Sequence, residues 1–284
     1  MKRFGIFLMV AMLILGIAGL LGAETTLEKI KRTGVFTVGA RTSSPPFGYI
    51  NKQNEWGGFS IDLARLVNGA LEKKLGQQIK FELKESTPAT RIPLLTSMAV
   101  DLIAGTMTIT RARRESVDFS LIFFGTGAQF LVKKGSPIKS IKDIDGKRIG
   151  AQQGSTNEKF VRENYPKATL VVYQDQAAGN TALMQGKIDA YTNDGIQLWG
   201  LKNKAEKPDN WNVVGEWYTY DPYGMAMRLN EADFRLVVDS ALMDAIEGGE
   251  YYKIYDKWFG PKSENPFPLS PEARALLIRQ VIPK

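Results

Sequence analysis

Residues 35–49 read VFTVGARTSSPPFGY. The stretch opens as a strand over 35–39 and breaks into a Ser- and Pro-rich turn where Arg41 stands. Residues 62–75 (DLARLVNGALEKKL) then space Leu63, Leu66, Val67, Ala70 and Leu71 as one buried helical stripe. Residues 79–83 alternate as a second strand. Strand, helix and strand in that order predict an α/β architecture. Ligands of open α/β sheets gather outside the carboxyl ends of strands, and Arg41 lies at such an end. Its guanidinium fork can meet a carboxylate there, although a solvated loop arginine fits the pattern equally well.

The same alternation runs outward along the chain. A helix is expected to start near Ile92 and continue over 94–100, with Pro93 tolerated in its first turn. A strand over 101–104 follows. Strand-like stretches at 127–132 and 223–227 enclose a compact unit of their own: strand 148–151, a helix after Ser155, strand 170–173, helix 177–184 and strand 189–192. Asn230 reads as the cap of a helix over 233–246 that ends at Gly248 and Gly249, with an aromatic-rich helix over 251–259 beyond. The chain therefore leaves one α/β lobe near residue 126, builds a second, and returns near residue 221. The expected division is lobe 1 at 24–126 plus 221–284 and lobe 2 at 127–220. Each lobe is a mixed sheet flanked by helices. Two crossing strands make a hinge, and the cleft between lobes is the natural ligand site.

Composition narrows the function. The 284 residues contain neither cysteine nor histidine. Disulfides, thiol nucleophiles, soft metal sites and imidazole bases are thereby excluded. No catalytic residue, metal or cofactor is expected. The net charge of +7 falls to +5 without Lys2 and Arg3. The basic residues are scattered rather than striped with aromatics, which speaks against nucleic acid. Lys2 and Arg3, the apolar run over 4–21, and Gly22-Ala23 together read as an export signal over 1–23; a membrane anchor is the competing reading.

Several polar residues fall at strand ends or helix starts. Arg91 precedes the helix near Ile92, against the trend of the helix dipole. Thr106, Thr108 and Arg113 sit in AGTMTITRARRE, directly after a strand, where hydroxyls and a guanidinium can hold a carboxylate. Arg111 and Arg114 read as a solvated face. Ser155 and Thr156 open a helix with a capping-box pattern, Ser155 to Glu158, beside the approachable Gly154. Asp194 can take an ammonium group, or be an ordinary loop aspartate. Together these suggest a basic, hydroxyl-lined cleft with one opposing carboxylate.

At this point VFTVGARTSSPPFGY, DLIAGTMTITRARRESVDFS, the GST segment and GKIDAYTND, taken in order, resemble the periplasmic polar amino-acid-binding proteins of ABC importers. The two-lobed type II periplasmic-binding-protein fold goes with that resemblance. STPATRIPLL and KPDNW are similar to the glutamate/aspartate-binding branch. The resemblance implies that Thr106, Thr108 and Arg113 hold the ligand α-carboxylate, with Ser155 and Thr156 at the helix N-terminus beside it. Asp194 takes the α-amino group, and Arg41 and Arg91 face the side-chain carboxylate. Gln176 stands where that branch has a histidine, and Pro88 where it has a hydroxyl. The implied protein is periplasmic, monomeric and partnered by membrane permease subunits, and it is not an enzyme. Two alternatives stay open: a glutamine or asparagine binder, and a cyclohexadienyl dehydratase on the same fold. For the dehydratase, Gln197 stands where a carboxylic general acid is required, and an amide cannot replace it.

Overall fold

The computed structural model describes residues 24–283. The export signal expected over 1–23 lies outside them. Two five-stranded mixed sheets organise the chain. The first runs Lys80–Glu85, Val35–Ala40, Leu102–Ile103, Ala226–Met227, Asp118–Phe119. Its first three strands are parallel, and Ala226–Met227 is antiparallel to both neighbours. The second runs Thr169–Tyr173, Arg148–Gln152, Ala190–Asp194, Ala128–Lys133, Trp211–Val214, with the same pattern of directions. One topology is thus used twice, once per lobe.

Alternation along the strands feeds two cores in each lobe. Phe36 and Val38 pack with Phe59, Leu63 and Val67 of helix Phe59–Leu75 and with Phe234 and Val238 of helix Ala232–Glu247. Ile103, Leu95 and Val117 fill the opposite face. In the second lobe Leu131 and Tyr191 join Leu198 on one face, while their neighbours Phe130 and Ala190 join Ile149 and Val161 on the other. Each fully buried Val, Leu, Ile or Phe among them contributes about 1.5–3 kcal/mol relative to leaving it exposed.

Two antiparallel strands, Phe124–Thr126 and Asp221–Tyr223, connect the lobes, with Thr126 opposite Asp221 and Phe124 opposite Tyr223. Their inner ends are anchored in an aromatic cluster. Phe47 lies edge-on to Phe124 at 4.9 Å and to Tyr223 at 5.4 Å, and Phe59 meets Phe259 at 5.2 Å. Phe47 is therefore a core residue, as its type suggests. The cluster fixes the Tyr223 ring, and so the place where its hydroxyl emerges.

Several expected boundaries move. The helix near Ile92 spans only Arg91–Thr96, because Met98 turns left-handed (φ 59°) and the Ala99 and Val100 amides both close onto the Leu94 carbonyl. The single strand expected over 223–227 is two, because the Gly224 amide leaves the hinge ribbon for the Met107 carbonyl. Asn230 does not cap the following helix. It is left-handed (φ 64°), and Glu231 occupies the cap position with its carboxylate already taken by the Thr26 amide and Arg228. Helices Thr26–Thr33, Gly195–Asn203 and Pro271–Arg279 had no counterpart in the sequence reading.

Candidate functional site

The first lobe brings three arginines to the interlobe cleft. Arg41 follows its strand directly and is buried. Its Nε donates to Ser44 Oγ at 3.1 Å and its Nη2 to Gln152 Oε1 of the other lobe at 2.8 Å. Arg91, the first residue of its short helix, is equally buried and donates from Nη1 to the Thr106 carbonyl at 3.1 Å. Arg113, half-buried, donates to the Thr108 carbonyl at 2.8 Å and across the cleft to the Gly154 carbonyl at 3.3 Å. Arg111 and Arg114 face solvent, as expected.

These guanidiniums are short of anions. None of the three forms an ion pair with a carboxylate among the described residues. Arg41 Nη1 and Arg91 Nε are buried without any hydrogen-bond partner. Burial pushes Arg41 down to about 10. Burial also lowers Arg91 and Arg113, and repulsion from Arg113 and Arg41 adds to the shift at Arg91. Guanidinium keeps its proton in proteins, so the shifts register an unmet demand for negative charge.

The second lobe answers with amides, hydroxyls and one carboxylate. Asp194 ends strand Ala190–Asp194 and starts helix Gly195–Asn203. It accepts from Asn157 Nδ2 at 3.0 Å, from Gln197 Nε2 at 3.2 Å and from the Tyr223 hydroxyl. Burial, then repulsion from Asp221, raises its carboxyl to about 6. Asp221 itself is buried in the hinge strand and accepts from Thr108 Oγ1 at 2.8 Å and Thr156 Oγ1 at 3.2 Å. Ser155 caps its helix through the Glu158 amide at 3.0 Å. The expected capping box forms only by half: Glu158 turns to the Gly154 amide at 2.7 Å, because the Ser155 amide bonds the Gln152 carbonyl at 3.1 Å.

Arg91, Thr106, Thr108, Ser155, Thr156 and Asp194 line one cavity, along with Pro88, Gln152, Asn157, Asn193 and Gln197. Arg41, Arg113 and Gln176 stand behind that lining and reach it through a neighbour. Arg41 holds Gln152, Arg113 holds the Thr108 backbone, and Gln176 accepts from Asn193 Nδ2 at 3.1 Å. The cavity is about 20 Å³, so any small organic solute could enter only when the lobes part or these side chains swing aside. A roomier cavity, about 390 Å³, lies beside the hinge against Phe124, Trp217, Tyr220 and Leu277. Its lining is almost wholly apolar and offers no cation, so the smaller, polar cleft is the better match to a charged solute.

Sequence reasoning missed Gln152, Asn157, Asn193, Asp221 and Tyr223. Gln152 and Asn193 lie at the carboxyl ends of second-lobe strands, and the rule that found Arg41 reaches them too. Asp221 and Tyr223 carry no such signal, since their role comes from hinge pairing. Among the described residues no three His, Cys, Asp or Glu side chains converge as a metal site, and no helix is long and apolar enough to cross a membrane.

Known proteins are similar throughout. The family model for bacterial extracellular solute-binding proteins, family 3, matches residues 36–261. A Salmonella typhimurium glutamate/aspartate import solute-binding protein is 35% identical, with 94% of each chain covered. The glutamine-binding protein of a Bacillus subtilis ABC transporter is also 35% identical, covering 83% of this chain and 85% of its own. Among solved structures, an ancestral arginine-binding protein bound to glutamine aligns with a TM-score of 0.74 at 34% identity, over 80% of this chain and 98% of the other. An ancestral amino-acid-binding protein described as a precursor of cyclohexadienyl dehydratase gives 0.73 at 29%, over 83% and 99%.

Proposed function

This chain belongs to the bacterial extracellular solute-binding proteins of family 3, and we propose that its solute is an acidic amino acid, glutamate or aspartate. One observation carries the choice of ligand. Three guanidiniums, Arg41, Arg91 and Arg113, none ion-paired with a carboxylate among the described residues, share the cleft region with two buried carboxylates, Asp194 and Asp221. One positive charge is left over, and an amino acid with an ionised acidic side chain carries the one negative charge that balances it. Thr106 and Thr108, with Arg113 behind them on the Thr108 backbone, receive the α-carboxylate, beside Ser155 and Thr156. Asp194 receives the α-ammonium. Arg91, with Arg41 acting through Gln152, receives the side-chain carboxylate.

The lobes, at 24–126 plus 221–284 and at 127–220, close over the ligand about the two hinge strands. The closed, monomeric form delivers it to an ABC permease from the periplasm. The similar Salmonella protein, named a glutamate/aspartate import solute-binding protein, supports the ligand and the import role. A glutamine-binding role is the second reading, favoured by the Bacillus relative, by the uncharged Pro88 in the cavity lining and by Gln176 behind it. A dehydratase role lacks its acid: Gln197 offers an amide to Asp194 and to Tyr223.

Thermal shift of refolded, ligand-stripped protein against the standard amino acids tests the proposal. Stabilisation by glutamate or aspartate above all others is expected. A response confined to glutamine or asparagine overturns the acidic assignment. Formation of phenylpyruvate or phenylalanine from the dehydratase substrates overturns the binding-only role.

A further inference from the structure

Helix Gly195–Asn203 belongs to the second sheet by packing but reaches the first lobe along its length. Asp194 starts it at the cleft, and Ile196 is buried in the first lobe's main core. Gly200, one turn further, lies on the backbone of Pro45: a Cβ built there would sit 2.4 Å from the Pro45 carbonyl oxygen and 3.0 Å from its carbon. Asn203 Nδ2 then donates to the Glu264 carbonyl at 3.1 Å and to Asn265 Oδ1 at 3.3 Å. Just past the helix, Lys204 Nζ stands 3.5 Å over the Tyr49 ring. None of these four first-lobe partners lines the ligand cavity.

Glycine inside a helix is less favourable than alanine, so its presence at an ordinary helical position calls for a reason. Gly200 needs no left-handed backbone, since its φ is not among the positive ones. Close approach of another backbone is the reason that remains. The neighbour is a main-chain carbonyl, which cannot rotate away as a flexible side-chain tip can.

We propose that Gly200 sets the affinity of the cleft without touching ligand, by permitting the backbone contact with Pro45 that lets the lobes close fully. Asn203 and Lys204 hold the same seam shut. The inference rests on the closing cleft of the preceding section. It says which residues set the fraction of molecules in the binding-competent form, and apparent affinity scales with that fraction.

The chain has no cysteine, so closure can be read by crosslinking alone. The test places Asn203→Cys and Asn265→Cys in one chain and measures disulfide yield without any ligand, with and without Gly200→Ala. Alanine favours the helix, so circular dichroism and melting should show an intact fold. The expected result is a strong fall in crosslinking on Gly200→Ala. In the cysteine-free protein, Gly200→Ala should raise the apparent Kd for glutamate by about tenfold or more. Lys204→Gln should give a smaller rise in the same direction. Failure of the pair to crosslink, or equal yields in the two chains, overturns the proposal. Absence of binding by any amino acid tells against the ligand assignment instead, and the ligand-free crosslinking still decides the role of Gly200.

Discussion

The two lobes share one sheet topology and carry opposite chemistry into the cleft. The first supplies Arg41, Arg91 and Arg113, whose guanidiniums are held by backbone carbonyls, a serine hydroxyl and a glutamine amide rather than by carboxylates. The second supplies amides, two hydroxyls at a helix N-terminus and the single carboxylate Asp194, itself raised to about 6. The difference separates two tasks on one scaffold. A lobe with excess cation can attract and hold an anionic solute on its own. A lobe of amides with a single carboxylate carries little charge of its own, and it gains from approach chiefly when solute and arginines are already in place.

If the first lobe holds the ligand, breaking it should cost most. Arg113→Met removes the fork behind Thr108, and loss of a desolvated charge partner is worth about 2–5 kcal/mol. Titration calorimetry should show glutamate binding weakened by about a hundredfold or more. Arg113→Lys should recover little, since an ammonium cannot replace a fork. Asp194→Asn is the matching change on the second lobe. It should weaken glutamate by a smaller factor, about tenfold to a hundredfold, while raising the melting temperature of the ligand-free protein, because a buried and repelled carboxylate is removed.

Arg41→Gln is expected to narrow the gap between glutamate and glutamine, by about tenfold, more than it lowers overall affinity. Competition between the two ligands measures it.

Acidity sharpens the contrast further. Asp194 is raised above its ordinary 3.8, so the ligand-free closed form gains stability from this group as pH falls through about 6. A ligand ammonium needs the ionised form. Affinity should therefore drop below about pH 6, by up to about tenfold per unit, with proton release on binding. In Asp194→Asn that dependence should vanish.

The lobes also differ in how much of them the sequence disclosed. Arg41, Thr106 and Thr108 follow short, largely apolar strands, and a charged or hydroxylated residue at such a strand end is conspicuous. Asp194 was visible for the same reason. Gln152 and Asn193 also stand at strand ends, but an uncharged amide there is inconspicuous, and Asn157, near a helix start, looks like any solvated turn until its partner lobe is in place. Tyr223 opened a stretch read as one strand over 223–227 and Asp221 lay just before it; the break at Gly224 leaves both in the hinge strand Asp221–Tyr223. The cap at Asn230 failed for a related reason: the side chain that governs that helix start is Glu231, engaged with the distant Thr26 and Arg228. Local pattern located the elements, and long-range pairing decided which polar groups serve the cleft.

The surplus positive charge of the first lobe is tested most directly by calorimetric titration of ligand-stripped protein at neutral pH with glutamate and with glutamine, which differ by one charge and almost nothing in size. Glutamate binding at least about tenfold tighter, with the gap shrinking in Arg41→Gln, is the expected result. Equal affinities, or tighter binding of glutamine, would mean that the unpartnered guanidiniums do not read the side chain and that the cleft is tuned to a neutral amino acid.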